Sequence, residues 1–170
     1  MTETRWLNQQ EQRTWRGYQR MWRHVDRALE RDLMEGAALS GADFIILVTL
    51  SEAPDRQLRG RDLGRALDWD RGRVSHQVRR MEQRELVTRT SCPTDARGTI
   101  IQLTEHGWEM IQKAAPAHVQ AVRDNFFDVL TDADLVALED ISRRVNDRVA
   151  SLNRGDWPHA KAATTRADDG

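Results

Sequence analysis

Cysteine occurs once in the 170 residues, at Cys92, so no intramolecular disulfide can staple the chain and no second thiol completes a CxxC metal or redox motif. Long apolar runs are missing as well. No stretch reaches eighteen apolar residues, and the opening MTETRWLNQQEQ lacks the hydrophobic segment of a secretory signal. The expectation is a soluble, cytoplasmic protein with no membrane partner. The histidines His24, His76, His106, His118 and His159 include no HxxxH pair, so no metal site is expected. An enzyme would need a nucleophile beside a base, or a carboxylate pair in a cleft. Cys92 with His106 is the one pair worth naming, and the arm of a hairpin separates them. Neither catalysis nor a cofactor is expected.

What is present is arginine, unevenly placed. The net charge of −1 argues against a polyanion binder overall. From Arg56 to Arg97, however, eleven arginines face six carboxylates, a net of +5 that leaves −6 for the remainder. Such asymmetry suits a segment that meets phosphates on a protein that must otherwise stay soluble. The plainer reading is a solvated arginine-rich surface, since arginine outnumbers lysine throughout.

The length suits one compact unit with an ordinary core. Trp15, Tyr18, Trp22, Val25, Leu29 and Leu33 recur at steps of three and four, which predicts a long amphipathic helix closed by Gly36. LSGADF starts a second helix, with Ser40 as N-cap, Asp43 completing a capping box, and Phe44, Ile45, Leu47, Val48 and Leu50 largely buried. It stops near Pro54. After an extended piece at 57–59, two short helices follow, GRDLGRAL and DRGRVSHQVRRMEQRE, separated by Asp68, Trp69 and Asp70. In the latter, Val74, Val78 and Met81 share one face and leave Arg73, His76, Arg79 and Arg80 opposite. LVTRTSC and TIIQLT read as a two-stranded hairpin with PTDARG as its polar tip. Thr104 caps a further helix that Pro116 should kink or restart, and a last helix spans about 132–152. From Arg154 onward no core-forming pattern remains, and that tail is expected to be mobile.

A helix pair joined by a tight turn, followed by a hairpin with an arginine at its tip, describes a winged helix-turn-helix. The second helix of such a pair enters the major groove, and the hairpin tip can place a cation in the adjacent minor groove. The residues from Leu39 to Gly107 resemble the MarR family of bacterial transcription regulators. LSGADFIILVTL is similar to that family's second helix and LRGRDLGRALDWDRGRVSHQVRRMEQRELV to its recognition unit. The strongest likeness is RTSCPTDARGTIIQLTEHG, with Asp95, Arg97, Leu103, Thr104 and Gly107 at the wing positions. The resemblance implies that Arg97 enters the minor groove while Asp95 orients it. Two departures stand out: Glu85 where the family has glycine at the exit of the recognition helix, and Arg59 where a Ser or Thr cap is common.

The fold expected is therefore mainly α with a small β-hairpin wing. Residues 37–107 would form the winged helix-turn-helix, 1–36 and 108–153 a helical dimerisation region, and 154–170 a flexible tail. Arg73, Ser75, His76 and Gln77 are the candidates for base contacts, and Arg71, Arg79 and Arg80 for the phosphate backbone; Asp70 reads as an N-cap. The resemblance implies a homodimer on a pseudo-palindromic operator. It also implies repression relieved by a small aromatic or apolar effector, with Trp15, Tyr18, Trp22 and Phe44 as a possible pocket, although aromatic stripes at helical spacing are usually core. Cys92 opens the wing tip, away from the first helix where the family's peroxide sensors carry their thiol, so an inert thiol is expected. The rival reading is a winged-helix protein-interaction module that lost DNA binding. Its signature would be loss of the recognition-helix cations, and here they remain.

Overall fold

The computed structural model describes residues 4–92 and 95–153, with the side chains of 92, 95–97 and 153 excepted. Among them the first helix, α1 (Gln9–Ala37), opens on a capping box in which the Glu11 amide donates to Asn8 and the Asn8 amide donates to Glu11. Gly36 does not close it. The chain turns instead at Ala38, which takes the left-handed region at φ 52°, and the amides of Ala38 and Leu39 bond back to the carbonyls of Met34 and Leu33. Leu39 is fully buried, so burial of the residue after the turn, rather than glycine's freedom, decides where the helix ends.

Helix α2 (Gly41–Ser51) has the expected Ser40–Asp43 capping box. Ile46, Leu47 and Leu50 form its fully buried face, whereas Ile45, expected inside, faces solvent. The short strand β1 (Gln57–Arg59) leads into α3 (Gly60–Leu67) and α4 (Arg71–Glu82). Strands β2 (Val87–Cys92) and β3 (Asp95–Leu103) then complete an antiparallel sheet in the order β1-β3-β2. The expected two-stranded hairpin is thus three-stranded, with Ile101 facing Leu58 on one side and Arg89 on the other. Most of the expected tip is strand. Pairing runs on to Cys92 and Asp95, and a register irregularity between Ser91 and Cys92 takes up the extra residues.

Helix α5 (Glu105–Asn125) runs unbroken through Pro116. The helix does not restart at the proline: Ile111, Ala114 and Ala121 are buried before and after it as α5 packs on α1 and α2. Pro116 and Gln112 are exposed, so water can satisfy the carbonyl that proline leaves without a partner. On the same helix the His118 ring lies against Phe44, centroids 4.2 Å apart, and its buried Nδ1 has no hydrogen-bond partner. Burial lowers the imidazole below the usual histidine range, with Asp32 acting in the opposite sense. Helix α6 (Asp132–Asn153) belongs to a second compact unit that begins at Val129. It starts with Asp134 accepting from the Thr131 amide and hydroxyl, which holds that carboxyl below its ordinary range. Val136, Ile141, Val145 and Val149 along it are exposed.

One joint fixes the sheet to α5. Thr104 caps the helix by accepting from the Gly107 amide at 2.9 Å while its hydroxyl meets the carbonyls of Glu85, at 2.6 Å, and Leu86, at 3.1 Å. Gly107 lies so close to the backbone just before β2 that a Cβ would collide with the Leu86 carbonyl oxygen. The glycine is required by close approach of two backbones, and its partner is too rigid to yield. Gly107→Ala should therefore cost about 1–3 kcal/mol, the range of an overpacked core. Urea unfolding measures it, and a midpoint equal to the parent's would contradict the joint.

Candidate nucleic-acid interface

The site is built on the α3–α4 turn. α3 begins without a side-chain cap from Arg59 and ends at Asp68, left-handed at φ 52°, from where Trp69 donates back to the Gly64 carbonyl at 2.8 Å. Asp70 caps α4, accepting from the Arg73 amide at 2.9 Å. These bonds aim α4. Val74, Val78 and Met81 go inward, while Arg71, Arg73, Ser75, His76, Arg79 and Arg80 are exposed, as the sequence spacing requires. The Arg73 guanidinium stacks over the Trp69 ring, 4.0 Å from its centroid, which orders an otherwise flexible cation at the start of the helix.

Gln77 is the exception among the proposed readers. It is only 7% exposed, and its amide donates to Asp43 Oδ1 at 2.6 Å, so it is occupied inside the protein. The reason is angular. Gln77 lies three residues after Val74 and four before Met81, on the packing face of the helix.

By sequence Asp43 is a helix cap alone. The structure buries it to 3% exposure, where it also receives Arg84 at 2.8 Å, with the Ser40 amide and hydroxyl at 3.0 and 2.9 Å. The other Arg84 nitrogen donates to the Ala38 carbonyl at 2.5 Å. The available signal is a carboxylate within an apolar helix and an arginine just beyond the end of α4, but nothing in either segment says that they meet.

Beyond α4, Glu85 takes the left-handed conformation at φ 56° that the missing glycine leaves to it, and Leu86 donates to the Met81 carbonyl at 3.0 Å. Arg89 on β2 grips Glu82 on α4 at 2.5 Å and so ties the hairpin to the helix. Between α3, the start of α4 and the strands lies a cavity of about 560 Å³, floored by Val74, Val78 and Ile101 and bordered by Arg61, Arg65, Arg71 and Arg89. Ser75 lines it too, so a proposed reader and several cations share one groove. The side chains of Asp95 and Arg97, assigned to the wing, and of Cys92 lie outside the described residues.

The aromatic residues proposed as a pocket are placed differently from one another. Trp15, Tyr18 and Trp22 are each a little over half exposed along α1, Trp15 stacking on Tyr18 at 5.8 Å, while Phe44 is half-buried against His118.

Burial separates the α4 residues experimentally. Gln77→Ala should destabilise the fold by about 1–3 kcal/mol by leaving Asp43 Oδ1 without its partner. Ser75→Ala and His76→Ala should stay within about 0.5 kcal/mol of the parent. Thermal unfolding of the three variants checks the ranking, and equal effects would refute it.

Comparison with known proteins agrees with this architecture. The sequence profile of the MarR family matches residues 39–98. AbsC, a MarR family transcriptional regulator from Streptomyces coelicolor, is 39% identical, with a TM-score of 0.82 over 87% of this chain and 99% of that one. Sco3205, another MarR family regulator from Streptomyces coelicolor, solved in complex with DNA, is 37% identical, with a TM-score of 0.82 over 86% of this chain and 92% of that one. The HTH-type transcriptional regulator MhqR of Bacillus subtilis (strain 168) is 28% identical over 107 residues, 63% of this chain and 72% of that protein. With a winged helix-turn-helix, an exposed cationic helix face and a relative of such identity matched over nearly its whole length, the chain belongs to the MarR family of transcriptional regulators, and not to the enzymes.

Proposed function

We propose that the protein is a sequence-specific, double-stranded DNA-binding regulator that acts as a homodimer, and that it represses transcription until a small effector relieves it. The observation that carries the reading is the groove in which Ser75 and the arginines of α3, α4 and β2 come together. Arg73, Ser75 and His76, on the first turns of α4, reach base edges in the major groove; Arg71, Arg79 and Arg80 hold phosphates. Arg97, oriented by Asp95, enters the minor groove. The DNA complex of Sco3205 supports the same use of this fold.

Dimerisation accounts for the exposed apolar residues of α1 and α6. The first half of α1 carries Arg13, Arg16, Arg20 and Arg23, whereas α6 opens with Asp132, Asp134, Glu139 and Asp140, so a second copy offers complementary charge as well as apolar surface. Residues 1–36 and 108–153 then form the dimerisation region, and 37–107 the DNA-binding region. An aromatic or apolar effector would be received around Trp15, Tyr18, Trp22 and Phe44. The setting for such a regulator is the cytoplasm.

Selection from a random DNA pool tests the core of this reading, with a palindromic consensus expected. Against that consensus, Arg73→Ala and His76→Ala should relax selectivity at particular base pairs, each worth about 1–3 kcal/mol. Arg79→Ala should chiefly lower the log-log salt slope by about 1, and Arg97→Ala should weaken consensus and near-consensus DNA alike. Light scattering at micromolar concentration should give a dimer without DNA. No enriched sequence would overturn the function, and a monomer would overturn the assembly.

A further inference from the structure

Asp43 makes more bonds than a helix cap needs. Its Oδ2 accepts from the Ser40 amide, the Ser40 hydroxyl and Arg84, and its Oδ1 accepts from Gln77. Three helices meet at this carboxylate: α2, which carries it; α4, held through Gln77 mid-helix and Arg84 just beyond its end; and α1, whose last carbonyls end at Ala38, where Arg84 makes its second bond. An apolar side chain of similar volume would fill the space without desolvating a charge. A buried carboxylate instead supplies directional bonds, which specify one arrangement where hydrophobic contact tolerates many.

The two grips on α4 are seven residues apart and converge on one side chain, so together they set both the axial position of the helix and its roll. Roll is the sensitive coordinate. At a side-chain radius of about 5–6 Å, a roll of about 20° displaces an exposed side chain by about 2 Å, more than a hydrogen bond to a base edge tolerates.

We propose that Asp43 is a positioning residue for operator reading: through Gln77 and Arg84 it sets the roll of α4 and links it to the C-terminal end of α1. This rests on the reading that α4 reads DNA. Gln77 then contributes to selectivity without touching a base, and a displacement at the end of α1 is transmitted to the reading face through Arg84.

The test uses the full chain as parent, Gln77→Met, Gln77→Glu, and the exchange Asp43→Asn with Gln77→Glu. The exchange restores a donor facing a carboxylate with the same total charge. Each protein is titrated against the selected consensus duplex and a scrambled duplex at one salt concentration, and amide hydrogen exchange is followed along α4 and at residues 38–40. Both single variants should lose consensus affinity by on the order of tenfold while scrambled-duplex affinity changes little. Amides of α4 and of Ala38 and Leu39 should exchange faster, and the double variant should regain both properties. Gln77→Met keeps volume without adding charge, so it reads the effect if Gln77→Glu does not fold. Consensus and scrambled affinities falling in step, a folded single variant with the parent's ratio, or failure of the exchange to rescue would each overturn the proposal. A parent that does not discriminate between the duplexes would instead refute the reading of α4. Hydrogen exchange alone then decides the link: loosening in the single variants and recovery in the exchange uphold it, and unchanged protection overturns it.

Discussion

The arrangement of this molecule depends on one buried carboxylate. Asp43 is buried at the start of a helix whose Ile46, Leu47 and Leu50 belong to the apolar core, yet every bond it accepts comes from a group that has to be fixed for the recognition unit to hold its shape. Removing a partner from such a site leaves a desolvated charge, which is why polar networks of this kind are satisfied completely or are costly. The hydrophobic core holds the helices together, and the Asp43 network selects how they are turned.

The display of cations follows from that internal order. Arginine is abundant in 56–97, but an arginine becomes useful to a groove only when its helix face is decided. Val74, Gln77, Val78 and Met81 bury one side of α4 and thereby expose Arg73, His76, Arg79 and Arg80 on the other. The Asp70 cap and the Trp69 stack on Arg73 order the start of the helix, and the Glu82–Arg89 pair holds the hairpin beside its end. The near-neutral whole and the basic middle are compatible because the segments flanking 56–97 carry a net −6 between them.

Local chemistry was legible in the sequence. The caps at Ser40, Asp70 and Thr104 and the buried face of α4 all follow from residue type and spacing, and the αL residue at Glu85 follows from the chain's departure from the family pattern. What could not be read was settled by contacts distant in the chain. Gln77 looks like a reader until Asp43, 34 residues away, claims it. Pro116 looks like a kink or a restart, yet the helix that packs on α1 and α2 continues through it, and β1 is too short to declare itself a strand without its pairing to β3. Gly36 looked like the natural helix end because glycine tolerates φ > 0, but burial of Leu39 placed that conformation on Ala38 instead.

The central claim is that the exposed side of α4 meets the major groove of DNA in two symmetric copies. Dimethyl sulfate footprinting tests it directly, because the reagent marks guanine N7 in the major groove and adenine N3 in the minor groove. Bound to its selected DNA, the protein should protect guanine N7 in two patches about one helical turn apart, or a whole multiple of that spacing. Unprotected guanine N7 throughout a bound site would contradict the account.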